Sequence, residues 1–128
     1  MKGMLTKVSK TILLVDGDPE LLSILAAAFA LEGFRSVTLS RTRDAIIKLR
    51  LQKYSAIFLD PDIQGERTAE IFLSATDPAG MNAKTPVVIM SSNLGAEVPA
   101  AAVASVKAVL KKPFNLDELL GVVRFLTK

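Results

Sequence analysis

The run TILLVDGDPELLSIL, residues 11–25, decides the fold. Ile12, Leu13, Leu14 and Val15 form an apolar block that stops at Asp16-Gly17-Asp18. A short block without alternation reads as a strand covered on both faces, and the polar triplet as its exit into a loop. A helix starts at once. Asp18 offers a capping carboxylate, Pro19 suits the first helical position, and Glu20 suits the positive end of the helix dipole. Leu21, Leu22, Leu25 and Phe29 then recur at helical spacing until Gly33 ends the run.

Working outward, the same alternation repeats. Ser36 to Leu39 reads as a strand, and Ser40 as the cap of a helix to about Leu51 with Ala45, Ile46 and Leu49 facing inward. Ala56 to Leu59 is again a buried strand and ends at Asp60-Pro61-Asp62; a helix from Glu66 to Ala75 follows, then a loop over 76–85. Val87 to Met90 runs into Ser91-Ser92-Asn93, an alanine-rich helix is expected to about Ser105, and Lys107 to Leu110 forms a fifth strand. After Lys111-Lys112-Pro113-Phe114, Asn115 caps a last helix that buries Leu116, Leu119, Leu120 and Val123. The pattern is (βα)5: an α/β domain with an open five-stranded parallel sheet and helices on both faces, because parallel strands need right-handed crossovers. Residues 1–10 are a tail and 11–128 the domain.

Composition removes whole classes of chemistry. The 128 residues include no Cys and no His, which excludes thiol chemistry, the usual structural zinc sites and histidine acid-base catalysis. The net charge is +3 with a pI near 9.3, but beyond Phe there is one Tyr and no Trp, so stacking platforms for nucleic acid have little to be built from and no such partner is expected. Residues 35–53 concentrate the excess: Arg35, Arg41, Arg43, Lys48, Arg50 and Lys53 face only Asp44, a solvated face or a dock for an acidic partner. Leu21 to Leu31, the longest near-apolar stretch, falls well short of the ~20 residues needed to span a bilayer. No membrane insertion is expected, and the expected location is cytoplasmic.

In open sheets of this kind sites lie beyond the carboxyl ends of the strands. The first strand ends in Asp16 and Asp18, the third in Asp60 and Asp62, the fourth in Ser91 and Ser92, and Lys112 follows the fifth. Clustered carboxylates repel one another unless a cation joins them, and hard oxygen ligands favour Mg²⁺. One carboxylate can serve as a nucleophile, with ammonium and hydroxyl around a transferring phosphoryl group.

VDGDPELLSIL at 15–25, YSAIFLD at 54–60, TPVVIMSS at 85–92 and KKPF at 111–114, in this order, resemble a response-regulator receiver domain from about Thr11 onward. The resemblance implies a flavodoxin-like fold, Asp60 as phosphoacceptor, and Mg²⁺ held by Asp16, Asp60 and the backbone carbonyl of Asp62, with Asp18 a further candidate. It implies that Ser91 and Lys112 contact the phosphoryl group, and that the Lys112-Pro113 bond is cis. Implied partners are a sensor histidine kinase or phosphotransfer protein, and a downstream protein or second receiver on the face of the fourth helix, fifth strand and fifth helix.

The departures are as specific. Gly17 stands where the family has a second acid, which weakens the expected Mg²⁺ site. Val109 takes the place of the family's aromatic switch, and the turn after Asp60 is rebuilt, with Gly65 moved earlier. Three functions stay open: a phosphorylated receiver, which is not an enzyme; a degenerate, phosphorylation-independent receiver acting as an adaptor; and a haloacid-dehalogenase-like phosphatase using Asp60 as nucleophile and Asp62 as general acid. A downstream acidic pair for the last is missing, since after Lys112 only Asp117 and Glu118 are acidic.

Overall fold

The computed structural model describes residues 10–63, 65–66, 68–92 and 100–126. Five strands, β1 (Thr11–Val15), β2 (Arg35–Leu39), β3 (Ala56–Leu59), β4 (Val87–Ser91) and β5 (Val106–Lys111), form one sheet. Their order is β2-β1-β3-β4-β5 and every pairing is parallel. The chain leaves β1 toward one edge and returns at β3 on the other side, so the crevice above β1 and β3 is the switch point where sites form.

Two cores sandwich the sheet because the side chains of its central strands alternate. Leu13, Val15, Ile57, Leu59 and Ile89 point to one face, where α2 (Thr42–Leu51) lays Ala45 and Leu49 and α3 (Ala69–Ala75) lays Ile71, Phe72 and Ala75. Ile12, Leu14, Phe58, Val88 and Met90 point to the other, under Leu22, Leu25 and Phe29 of α1 (Pro19–Leu31) and Leu119 and Val123 of α4 (Leu116–Leu126). Each large apolar side chain buried in this way contributes about 1.5–3 kcal/mol.

The caps set the helix ends. Asp18 Oδ1 accepts from the backbone N–H groups of Glu20 and Leu21 at 3.0 and 3.3 Å, as the sequence leads one to expect. Gly33, at φ 86°, closes α1 while the Phe34 N–H reaches back to the Phe29 carbonyl at 3.0 Å, an arrangement that needs a left-handed residue. Asn115 and Glu118 form a reciprocal capping box at the start of α4, with bonds of 2.8 and 3.4 Å.

Four expectations need correction. Leu116, expected on the buried face of the last helix, is exposed at the start of α4. Ser40 does not cap α2: Arg41 holds the cap position without a side-chain bond, and Glu66 Oε1 accepts from the Thr42 N–H at 3.1 Å instead. The third helix starts at Ala69 rather than Glu66, because Gly65 turns the chain at φ 76° and the Thr68 hydroxyl donates to the Pro61 carbonyl. Of the expected fourth helix, residues 93–99 lie outside the described residues, and Ala100–Ser105 is a 3-10 helix. That six-residue run, AAAVAS, is short and places no charged side chain against either end of the helix dipole. Among the described residues no helix is long and apolar enough to cross a membrane.

Candidate functional site

The strand ladders continue past their last residues and deliver the site. The Asp16 N–H donates to the Leu39 carbonyl at 3.1 Å, the Asp60 N–H to the Val15 carbonyl at 2.9 Å, and the Lys112 N–H to the Ser91 carbonyl at 2.8 Å. Asp16, Asp60 and Lys112 are therefore held by backbone bonds to neighbouring strands and converge on one rim.

Lys112 Nζ lies 2.6 Å from Asp16 Oδ2 and 3.0 Å from Asp60 Oδ2, bridging the two carboxylates. The remaining oxygens are also engaged: Asp16 Oδ1 accepts from the Asp18 N–H at 2.9 Å and Asp60 Oδ1 from the Asp62 N–H at 2.8 Å. Burial alone would lower the Lys112 pKa, but the hydrogen bonds and charges of Asp16 and Asp60 outweigh it and hold the pKa above the ordinary 10.5. The ammonium is thus the cation that lets two acids approach.

These residues line an open cleft of about 580 Å³ with Gly17, Asp18, Ser40, Arg41, Asp62 and Glu66 on its walls. Asp16 is almost wholly buried, whereas the Asp60 side chain retains 13% of its exposure, so Asp60 is the carboxylate a reactant can reach. Asp18 is occupied in capping α1, and Asp62 is exposed. Ser91 is buried at the end of β4 and does not line the cleft, while the exposed Ser92 borders an adjoining pocket with Lys112 and Pro113. The Lys112-Pro113 bond is cis. Val109 lies on the edge strand β5 with 52% of its surface exposed.

Glu66, an acid the sequence places near the site, lines the cleft, and Arg41 joins it there without any local sequence signal. Their bond, Nε to Oε1 at 3.3 Å, joins residues 25 apart in the chain, so only the packing of α2 against the loop after β3 reveals it. The bond to Thr42 commits the same Glu66 oxygen to α2.

The donor set bears directly on a metal. Asp16 and Asp60 supply hard anionic oxygens at one point, which suits Mg²⁺. Gly17 supplies no side chain, and among the described residues no group of three acidic side chains gathers to hold a cation. The residues fit a divalent ion with two carboxylates in place of three, in competition with Lys112.

Comparison with known structures agrees with the architecture. CheY4 of Vibrio cholerae is 19% identical with a TM-score of 0.79, covering 91% of this chain and 98% of that one. The response regulator TrrA of Thermotoga maritima, solved in complex with Mg²⁺-BeF, is 21% identical with a TM-score of 0.76 and the same two coverages, 91% and 98%. The receiver domain of a sensor histidine kinase from Pseudomonas aeruginosa, with magnesium coordinated in its active-site cleft, is 19% identical with a TM-score of 0.78, covering 94% and 99%. No curated protein matches in sequence. The family model for the response regulator receiver domain matches residues 12–124. A match that opens inside β1 and closes inside α4 takes in every strand of the sheet, and by it this chain belongs to the response regulator receiver domains.

Proposed function

We propose that this receiver of two-component signalling accepts a phosphoryl group on Asp60 from a sensor histidine kinase or phosphotransfer protein. The observation that carries the reading is the Lys112 ammonium held between Asp16 and Asp60 at 2.6 and 3.0 Å, with Asp60 the more exposed of the two acids. An Asp60 oxygen attacks phosphorus, the phosphorus–nitrogen bond of a phosphohistidine breaks, and an acyl phosphate forms as the imidazole leaves. Asp16 keeps Lys112 in place while the ammonium, released from Asp60, pairs with the new phosphoryl oxygens. Ser91, at the end of the adjacent β4, is the proposed hydroxyl contact.

Mg²⁺ would be held by Asp16, Asp60 and the backbone carbonyl of Asp62, with Asp18 at the cleft wall. Bound there, the metal supplies charge neutralisation at the phosphoryl oxygens. Magnesium in two similar structures, in one of them coordinated in the active-site cleft, supports this, and Gly17 makes the site weaker. Output passes to a downstream protein or a second receiver at the face of β5 and α4, where Val109, Leu116 and Phe125 are exposed.

The second reading, a phosphorylation-independent adaptor, is favoured by Gly17 and by the exposed aliphatic Val109. The phosphatase reading has no support from the family match. Incubation with a small phosphodonor and Mg²⁺, followed by intact-mass measurement, separates the first two. One added phosphoryl group, lost in Asp60→Asn, is expected; no adduct at saturating metal leaves the adaptor.

A further inference from the structure

The helix pair on the Leu13 side of the sheet leaves a long groove that the phosphoryl chemistry does not use. α2 and α3 both return from the carboxyl edge of a parallel sheet, so they run parallel, with Thr42 and Ala69 at the cleft end. Between them lie two adjoining hollows of about 730 and 580 Å³ that share Ile46, Arg50 and Glu70. The apolar lining is only half covered: Leu73 is 51% exposed, Met81 49% and Ile47 45%. Such a strip, flanked by charge, is the composition of an interface centre with its polar rim.

The charge is not uniform, and its layout selects the occupant. Arg43 and Arg50 stand on the α2 side, Glu70 and Asp77 on the α3 side. All four are exposed, and none of the ion pairs among the described residues involves any of them. A two-fold axis lying in the interface and running along the groove places α2 of one copy against α3 of the other, with their cleft ends together. Arg43 then meets Glu70, Arg50 meets Asp77, and Leu73 meets Ile46 and Ile47, each contact made twice. A uniformly basic or acidic partner would match one rim and be repelled by the other.

We infer that the groove between α2 and α3 is the contact surface of a symmetric dimer of this chain. The surface lies across the sheet from α4 and uses neither Asp60 nor Lys112.

The test is sedimentation velocity on the full chain over a concentration series reaching the sub-millimolar range. The wild type is expected to show a concentration-dependent dimer, and Leu73→Asp to stay monomeric. Arg43→Glu alone and Glu70→Arg alone each place like charges at both symmetric pairs and should weaken the dimer about tenfold. Mixing the two variants restores opposite charges at both pairs in the mixed dimer, so dimer should return. Circular dichroism on each variant confirms that the exposed substitutions leave the fold intact. A wild type that stays monomeric throughout overturns the inference, as does a dimer insensitive to these three substitutions. A dimer lost in Phe125→Asp and kept in Leu73→Asp assigns the contact to the other face and overturns it equally.

Discussion

Gly17→Asp puts a carboxylate into the cleft beside Asp16, at a wall position that has no side chain. The space exists: a Cβ built at Gly17 meets only Ile63 Cγ2, at 3.6 Å, an ordinary contact. The backbone accepts it as well, since positive φ among the described glycines occurs at Gly33 and Gly65 and not at Gly17. Two unit charges about 4 Å apart attract by about 4 kcal/mol at an effective dielectric near 20, and a divalent ion nearby feels each carboxylate at least that strongly. If about a third survives desolvation, the gain is about 1.4 kcal/mol, a tenfold tighter Mg²⁺ site. Without metal the added charge faces Asp16 and Asp60 with only Lys112 to offset it, so the variant should be less stable than wild type and regain more stability on Mg²⁺ addition. Calorimetric titration with Mg²⁺ measures the first effect, and thermal melts with and without Mg²⁺ the second. Gly17→Asn matches the shape without the charge and should gain much less. Equal Mg²⁺ affinity for wild type and Gly17→Asp, or equal gains for Asp and Asn, would refute the electrostatic reasoning.

Two further perturbations follow from buried polar groups. Asn82, 1% exposed, donates to the Leu49 and Gln52 carbonyls at 2.9 Å and accepts from the Tyr54 N–H at 2.9 Å and the Thr85 hydroxyl at 3.0 Å. Asn82→Ala strands two or three of these groups and should cost about 3 kcal/mol in urea unfolding, lowering Tm by about 10 °C; a loss under about 1 kcal/mol would show that water replaces the clamp. Stability should also fall on the alkaline side. Burial raises the Tyr54 pKa above 10.0, favouring its neutral form in the fold, and the Lys112 pKa lies above 10.5 for the reasons given above. Both groups thus contribute stability that is complete below their unfolded values and is lost as pH rises through the folded ones. Tyr54 Oη has no hydrogen-bond partner among the described residues, so Tyr54→Phe should leave stability at pH 7 unchanged or higher and flatten the alkaline limb. An unchanged limb would remove Tyr54 from the account.

The strands were legible because their centres are apolar on both faces: Ile12 to Val15 and Ala56 to Leu59 are continuous runs, and their first polar residues, Asp16 and Asp60, mark the rim. Local rules also reached the caps at Asp18 and Asn115, where donor and acceptor lie within three residues. They failed at α2, where Glu66 supplies the capping oxygen from across the cleft while Ser40, adjacent in sequence, does not. Asn82 was hidden for the same reason, inside a stretch read only as loop while three of its four partners are 28 to 33 residues away. Within the site, strand-end position was enough to nominate Asp16, Asp60 and Lys112. Their contact through one ammonium is tertiary geometry, and so is the difference in exposure that singles out Asp60. The charge division along 35–53 was visible as a basic run, but the acidic rim of Glu70 and Asp77 facing it emerges only when α3 packs beside α2.

Mass measurement after exposure to a small phosphodonor and saturating Mg²⁺ tests the central claim most directly. The account predicts a single added phosphoryl group on the wild type, located on the peptide that contains Asp60 and absent from Asp60→Asn. A folded wild-type protein that gains nothing, or an adduct that persists in Asp60→Asn, would contradict it.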